Sequence, residues 1–163
     1  MKLMLDCRCW CFKWTSIIAN LQAYAGLIFI SMDQLKHSEL TGKIIGCAMQ
    51  VHTFLGNGFQ EAIYQKALAL EFIKAELRFE RELLVEIFYK DYVDPIGIRR
   101  VDFLVEGLVL VELKALSALD DVHINQVLNY LRVYKIEIGL LMNFGENRLN
   151  VKRLILAEKN KSA

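Results

Sequence analysis

The chain has 163 residues, 55% hydrophobic and 24% charged, which is about one domain's worth of sequence with ample core material and excludes a disordered tail. Lys and Arg number 20 against 19 Asp and Glu, a formal net charge of +1. Any contact with nucleic acid must therefore be local and geometric rather than a coating by charge.

The first 31 residues pose a separate question. Lys2, Arg8 and Lys13 precede the apolar run Ile17–Ile30, a layout similar to a signal peptide. Asn20 and Gln22 interrupt that run, which is shorter than the roughly 18 apolar residues of a membrane helix. No small-x-small cleavage site follows it. Three explanations stand: a mis-called start upstream of the true initiator Met32, a leader or anchor, or a loosely packed extra helix. Residues 1–31 are thus expected to be spurious or poorly ordered, and residues 32–163 to form a single domain. The cysteines Cys7, Cys9 and Cys11 have no downstream partner pair and give no support to a structural zinc. The lone Cys47 suits a reducing, cytoplasmic compartment.

Ser38 is a suitable N-cap, and Leu40, Ile44, Ile45, Ala48 and Val51 keep helical spacing to about Phe54. Leu55-Gly56-Asn57-Gly58 breaks that helix. A second helix is predicted from about Gln60 to Leu77, with Ile63, Ala67, Leu70 and Ile73 as its apolar stripe. Leu83–Tyr89 reads as a strand and Tyr92–Gly97 as a turn. Arg99–Val105 and Leu108–Ala115 form a hairpin around Glu106-Gly107. Asp120 or Asp121 caps a helix to about Val133, and Ile138–Asn143 and Leu149–Leu156 make a last strand pair. The expected class is α/β, a small mixed sheet flanked by helices.

Charged residues interrupt the apolar strands of the central hairpin. Asp102 stands within Val101–Val105, and Glu112 and Lys114 within Leu108–Ala115. Glu112 and Lys114 project from one face, about 7 Å apart along the strand. Burying such groups is costly unless they are paired or bind a metal. Two readings follow: an ion-pair ladder at a sheet edge, or a divalent-metal site of the oxygen-ligand type that suits Mg²⁺ or Mn²⁺. Register decides between them. A two-residue turn would place Asp102 opposite Val111, away from Glu112. Convergence needs a three-residue loop or a bulge, which Gly107 permits.

At these residues the chain resembles PD-(D/E)xK nucleases, with Asp102 followed after a hairpin by Glu112-Leu113-Lys114. The run Val51–Tyr64, with Gly58, Glu61 and Tyr64 in the named positions, is similar to the signature of the GxxExxY family within that superfamily. The likeness extends to Arg100-Val101-Asp102, Val111–Ala115, Gln126-x-x-Asn129-Tyr130-Leu131 and Leu140–Gly145, and covers about Leu35 to Leu156. Val101 stands where the superfamily has its proline. The resemblance implies a restriction-endonuclease-like αβββαβ core and Mg²⁺-dependent (or Mn²⁺-dependent) hydrolysis of DNA or RNA. It implies Asp102, Glu112 and the Leu113 backbone carbonyl as metal ligands, with Glu61 bound directly or through a water. Lys114 would orient the attacking water or stabilise the phosphorane.

Supporting roles are implied for Tyr64, as a buttress of Glu61 or a core residue, and for Gln126 and Tyr130, which share a helix face at i and i+4. Arg99, Arg100, Arg148, Lys152 and Arg153 are phosphate-contact candidates, as is His123 beside a solvated alternative. His52 is expected to pair with backbone near the Gly56–Gly58 turn. A non-catalytic module that binds nucleic acid or a protein partner while keeping the fold is the alternative function. A homodimer is compatible with both, and no stable membrane partner is expected.

Overall fold

The computed structural model describes residues 36–156, and the expectation for residues 1–31 lies outside them. From Glu39 onward the described residues belong to one compact unit. Helices α1 (Ser38–Leu55) and α2 (Glu61–Lys74) precede strands β1 (Phe79–Ile87), β2 (Gly97–Val105) and β3 (Val109–Lys114). Helix α3 (Asp121–Tyr134) and strands β4 (Ile138–Asn143) and β5 (Asn150–Ile155) complete the order. The sheet runs β1-β2-β3-β4-β5, antiparallel throughout except for the parallel pair β3 and β4, which α3 connects.

Two cores sandwich this sheet. On one face α1 and α2 pack through Ile44, Val51, Tyr64, Leu68 and Phe72 against Phe103, Val105, Val111, Leu113, Leu140 and Met142. On the other, α3 packs Val127, Tyr130 and Leu131 against Val85, Val101, Leu110 and Leu141. Strands β3 and β4 are therefore covered on both sides, which explains why nearly every residue along them is buried. Each fully buried Leu or Phe contributes roughly 1.5–3 kcal/mol relative to exposure. The α3 start is as expected: Asp120 accepts from Val122 N at 3.0 Å and His123 N at 3.2 Å, closing a capping box.

Three sequence expectations need correction. Helix α2 ends at Lys74, and β1 begins at Phe79 rather than Leu83. The α2 stripe is also displaced: Tyr64, Leu68, Ala69 and Phe72 are buried, while Ile63, Leu70 and Ile73 face solvent. Both sets have helical spacing. The larger aromatic residues, Tyr64 and Phe72, decided which one reached the sheet, because they remove more apolar area from water.

Candidate active site

The β2–β3 connection is a three-residue loop. Glu106 (φ 52°) and Gly107 (φ 68°) take left-handed conformations, and Leu108 N donates to Val105 O at 3.0 Å. Glycine makes the second position easy. The first is held by Arg78, whose backbone N and Nε donate to the Glu106 carboxylate at 2.8 and 2.9 Å. Pairing then runs Val105 with Val109, Leu104 with Leu110 and Phe103 with Val111. The next step of that register sets Asp102 across from Glu112.

Strand β2 also changes face at Asp102. Val101 packs in the α3 core and Phe103 in the α1–α2 core, although residues two apart ordinarily share a face. The β1–β2 ladder passes over the Glu82–Asp102 position, where Glu82 has φ 56°. The Asp102 carboxylate consequently reaches the β3 backbone: Oδ2 accepts from Leu113 N at 2.7 Å, and Oδ1 from Gln65 Nε2 at 2.9 Å. Burial raises the Asp102 pKa, opposed by the Leu113 N–H, Lys114 and Gln65.

Glu112 is 3% exposed, and its Oε1 accepts from Lys114 Nζ at 2.7 Å. Its Oε2 is buried without any hydrogen-bond partner. Burial, with Asp102 and Glu61 adding to it against the pull of Lys114, pushes the Glu112 pKa up to about 7. Burial alone would lower the Lys114 pKa, but Glu112, Glu61 and Asp102 together raise it, so the ammonium stays charged.

Glu61 opens α2 at the solvent rim of this cluster. Desolvation raises its pKa, Lys114 and His123 oppose the rise, and Asp102 adds to it. Tyr64 does not hydrogen-bond to Glu61. Its buried hydroxyl donates to Gly56 O at 2.8 Å and accepts from Phe59 N at 3.2 Å, while its ring stacks on Phe144 at 4.7 Å. It thereby fixes the loop from which Glu61 emerges. Gln65, one helical turn after Glu61, carries the polar contact to Asp102. Sequence reasoning passed over it, although a glutamine at i+4 from a candidate acid and within a buried stripe was the available signal.

The far end of β3 is clamped. Asn143 is fully buried and uses its whole amide. Its Oδ1 accepts from Leu116 N at 2.9 Å and Gly145 N at 3.2 Å, and its Nδ2 donates to Leu116 O and Glu146 Oε1 at 2.8 Å each. Phe144 N donates to Lys114 O at 2.7 Å. A Cβ on Gly145 would stand 2.3 Å from Leu116 O, so only glycine allows this approach. The same turn reaches α1 and the Gly56–Gly58 loop: Glu146 O lies 3.0 Å from His52 Nε2, and Asn57 Nδ2 donates to Asn147 Oδ1 at 3.2 Å. His52 thus pairs with a turn 94 residues away rather than with its own loop. The role of Asn143 was not visible in the sequence, because its bonds to Leu116 span 27 residues and exist only once β3 and β4 are side by side.

Lys114 also borders a groove of about 870 Å³ between α3 and the β1–β2 hairpin, lined by Ile87, Arg99, His123, Gln126, Asn129 and Tyr130 among others. No carboxylate lines it. Gln126 Nε2 donates to Tyr130 OH at 2.8 Å, so the predicted pair faces the same way and holds itself. Arg100 pairs with Glu82 at 3.5 Å and does not line this groove, whereas Arg99 lines it and has no ion pair among the described residues. Arg148, Lys152 and Arg153 are not among the lining residues of this groove.

A divalent cation fits part of this arrangement. Glu112 Oε2 is an unmatched acceptor beside Asp102, and an unsatisfied buried carboxylate oxygen is costly. Because Lys114 O turns toward β4, the alternation of strand groups turns the Leu113 carbonyl toward β2, the side on which its N–H meets Asp102. Two carboxylates and one carbonyl are therefore available. Among the described residues no group of three His, Cys, Asp or Glu side chains is arranged to hold a metal. Glu61 does not complete such a set.

A mixed sheet between helices, with an acid and a Glu-x-Lys pair facing each other across a hairpin, defines a restriction-endonuclease-like α/β protein. The family model of the PD-(D/E)XK nuclease superfamily matches residues 38–154, and the chain belongs to that superfamily. Its members generally use divalent metals. Among solved structures, the chain is similar to the protein described as "Crystal structure of SSO0001", with 20% identity and a TM-score of 0.48. That match covers 77% of this chain and 63% of the other, so the chain spans less than two thirds of that relative's length. Comparison with curated proteins returned no match. No helix among the described residues is long and apolar enough to cross a membrane.

Proposed function

We propose that the protein is a metal-dependent nuclease of the GxxExxY type, hydrolysing phosphodiester bonds of DNA or RNA with Mg²⁺ or Mn²⁺. The observation that carries this reading is the Glu112 carboxylate. It is buried, bonded to Lys114 through one oxygen, unmatched at the other, and near enough to Asp102 for the two carboxylates to repel. Asp102, Glu112 and the Leu113 carbonyl would hold the metal, with Glu61 reached through a water. When bound, the metal polarises the phosphate and lowers the pKa of the attacking water.

The chain's own groups do the rest. Gln65 and the Leu113 N–H oppose the rise that burial imposes on the Asp102 pKa and fix the direction of its carboxylate. Glu112 Oε1 fixes the Lys114 ammonium, whose charge balances the negative charge that grows on the phosphate in the transition state. Arg99 and the acid-free groove wall receive the flanking phosphates. The working domain lies within residues 32–163, in the cytoplasm, and a homodimer would supply the two sites needed to cut both strands.

The test uses the full-length chain on single-stranded, duplex and nicked DNA and on RNA, with Mg²⁺ or Mn²⁺. Cleavage that falls at least about 100-fold in both Glu112→Gln and Lys114→Ala supports the assignment, being the scale for a lost transition-state contact. Wild-type cleavage in both variants would refute it. One observation favours the non-catalytic binding module: the lack of a third side-chain ligand among the described residues. Oligonucleotide binding with no cleavage under any metal would select that alternative.

A further inference from the structure

The β1–β2 hairpin extends beyond the residues that line the groove, and its tip is aromatic. Phe88, Tyr89 and Tyr92 are 51%, 50% and 68% exposed, and Val93 and Ile96 beside them are also exposed. None of these side chains belongs to either core. Isolated exposed apolar residues need no explanation, but a contiguous group on one projecting tip does. The strands below it are anchored: Ile96 N donates to Ile87 O at 2.8 Å, and Tyr134 OH donates to Leu84 O at 2.8 Å. The tip is thus a fixed projection rather than a frayed end.

Its position and chemistry narrow what can occupy it. Ile87 and Arg99, at the base of the tip, are also walls of the groove that holds Lys114. Phe88 follows Ile87 directly, and Tyr89 is the next residue into the connecting loop. Charge divides along this line. The groove presents Arg99 and Lys114 with no carboxylate in its lining, whereas the tip sets Lys90 against Asp91 and Asp94. The groove suits phosphates, and the tip offers ring faces without net positive charge.

The Tyr89 and Tyr92 rings lie 6.4 Å apart at 31° to each other, joined by a Tyr92 N to Tyr89 O hydrogen bond of 3.2 Å. Both rings therefore stand on one turn, where unpaired bases can stack on aromatic faces. Lys90 Nζ sits 5.0 Å from the Tyr89 ring centroid, a cation–π contact within the tip.

We propose that the Phe88–Tyr92 tip is a stacking platform for unpaired bases, so that the substrate is single-stranded nucleic acid or a duplex with a single-stranded flank. This rests on the nuclease reading for the groove and adds the strand state of what enters it. Bases in a duplex present only edges, while an unpaired strand presents faces that aromatic side chains can hold. Phosphates in the groove and bases on the tip would then be read by different residues.

Binding of fluorescent single-stranded, overhang-bearing and blunt-duplex DNA, with EDTA to prevent cleavage, tests this on the full-length chain. The double variant Tyr89→Leu/Tyr92→Leu keeps apolar bulk but loses the rings, and Tyr89→Phe/Tyr92→Phe keeps the rings. The Leu pair should weaken single-strand binding roughly tenfold, within the range for losing one or two stacked bases, and leave blunt-duplex binding unchanged. The Phe pair should bind like wild type. The slope of affinity against salt should be unchanged by the Leu pair but reduced by about one in Arg99→Ala.

Fluorescence of 2-aminopurine in the single strand should be quenched by wild type and not by the Leu pair. Equal binding of all three DNAs by wild type and the Leu pair overturns the platform and leaves the nuclease reading standing. Loss of self-association in the Leu pair, seen by sedimentation with unaltered DNA binding, assigns the tip to a second copy and overturns it as well. No binding of any oligonucleotide by wild type removes the nuclease reading and the platform together.

Discussion

Asn143 and Glu112 are both polar, both buried in the middle of one sheet, and treated oppositely by their surroundings. Asn143 fills every hydrogen-bonding position of its amide and ties the end of β3 to the turn after β4. Glu112, on the adjoining strand, has one oxygen bonded to Lys114 and the other to nothing. A satisfied buried amide stabilises and specifies a fold, while an unsatisfied buried carboxylate destabilises it. The contrast separates scaffold from chemistry: the chain completes the bonding where geometry must be held and leaves it open where a ligand would bind.

The contrast breaks most sharply at the clamp. Asn143→Ala leaves the Leu116 N–H and C=O without their partners, and unfolding in urea should show a loss of about 3 kcal/mol. Cleavage would fall with it, since Lys114 O is held by the next residue, Phe144. Gly145→Ala presses a methyl group against the Leu116 backbone and should cost about 2 kcal/mol in the same measurement.

Glu112 should behave in the reverse sense. Its native pKa of about 7 lies above the ordinary 4.5, so the native state binds its proton more tightly than the unfolded state does. The sign then makes stability fall as pH rises from about 4.5 to about 7, with the full cost present above that window. In EDTA, Glu112→Gln should flatten this fall by about 1–2 kcal/mol between pH 5 and pH 8, read by urea unfolding at each pH. The substitution expected to abolish cleavage would thus relieve the metal-free fold.

The smallest effect sharpens the comparison. At pH 8, Mn²⁺ at ten times its Kd should stabilise the wild type by about 1.4 kcal/mol, visible as a raised Tm. Glu112→Gln should show no such rise, while an Asn143 variant that still folds should keep most of it.

Much of the fold was legible because its signals are local. The Asp120 cap, the Ile138–Asn143 strand and the helix from Ser38 follow from capping chemistry and apolar runs, and each stands close to where expected. Helix α2 misled because two apolar stripes share its sequence, and only the sheet beneath could choose Tyr64, Leu68 and Phe72 over Ile63, Leu70 and Ile73. The acids Asp102 and Glu112 stood out as charges within apolar strands. Their meeting depended on one residue of loop length, which local sequence permitted without deciding. Gln65 and Asn143 stayed hidden because a buried amide reveals its purpose only through partners brought from distant positions.

The sequence by itself determined the element order and the identity of the charged side chains within apolar strands, since these follow from periodicity and the cost of burying charge. The tertiary structure alone decided that Asp102 changes face to reach the Leu113 N–H, that Glu112 Oε2 is left unmatched, and that Tyr64 serves the loop beneath Glu61. Each of those outcomes is set by close packing between segments far apart in the chain, where displacements of an ångström decide which hydrogen bonds exist.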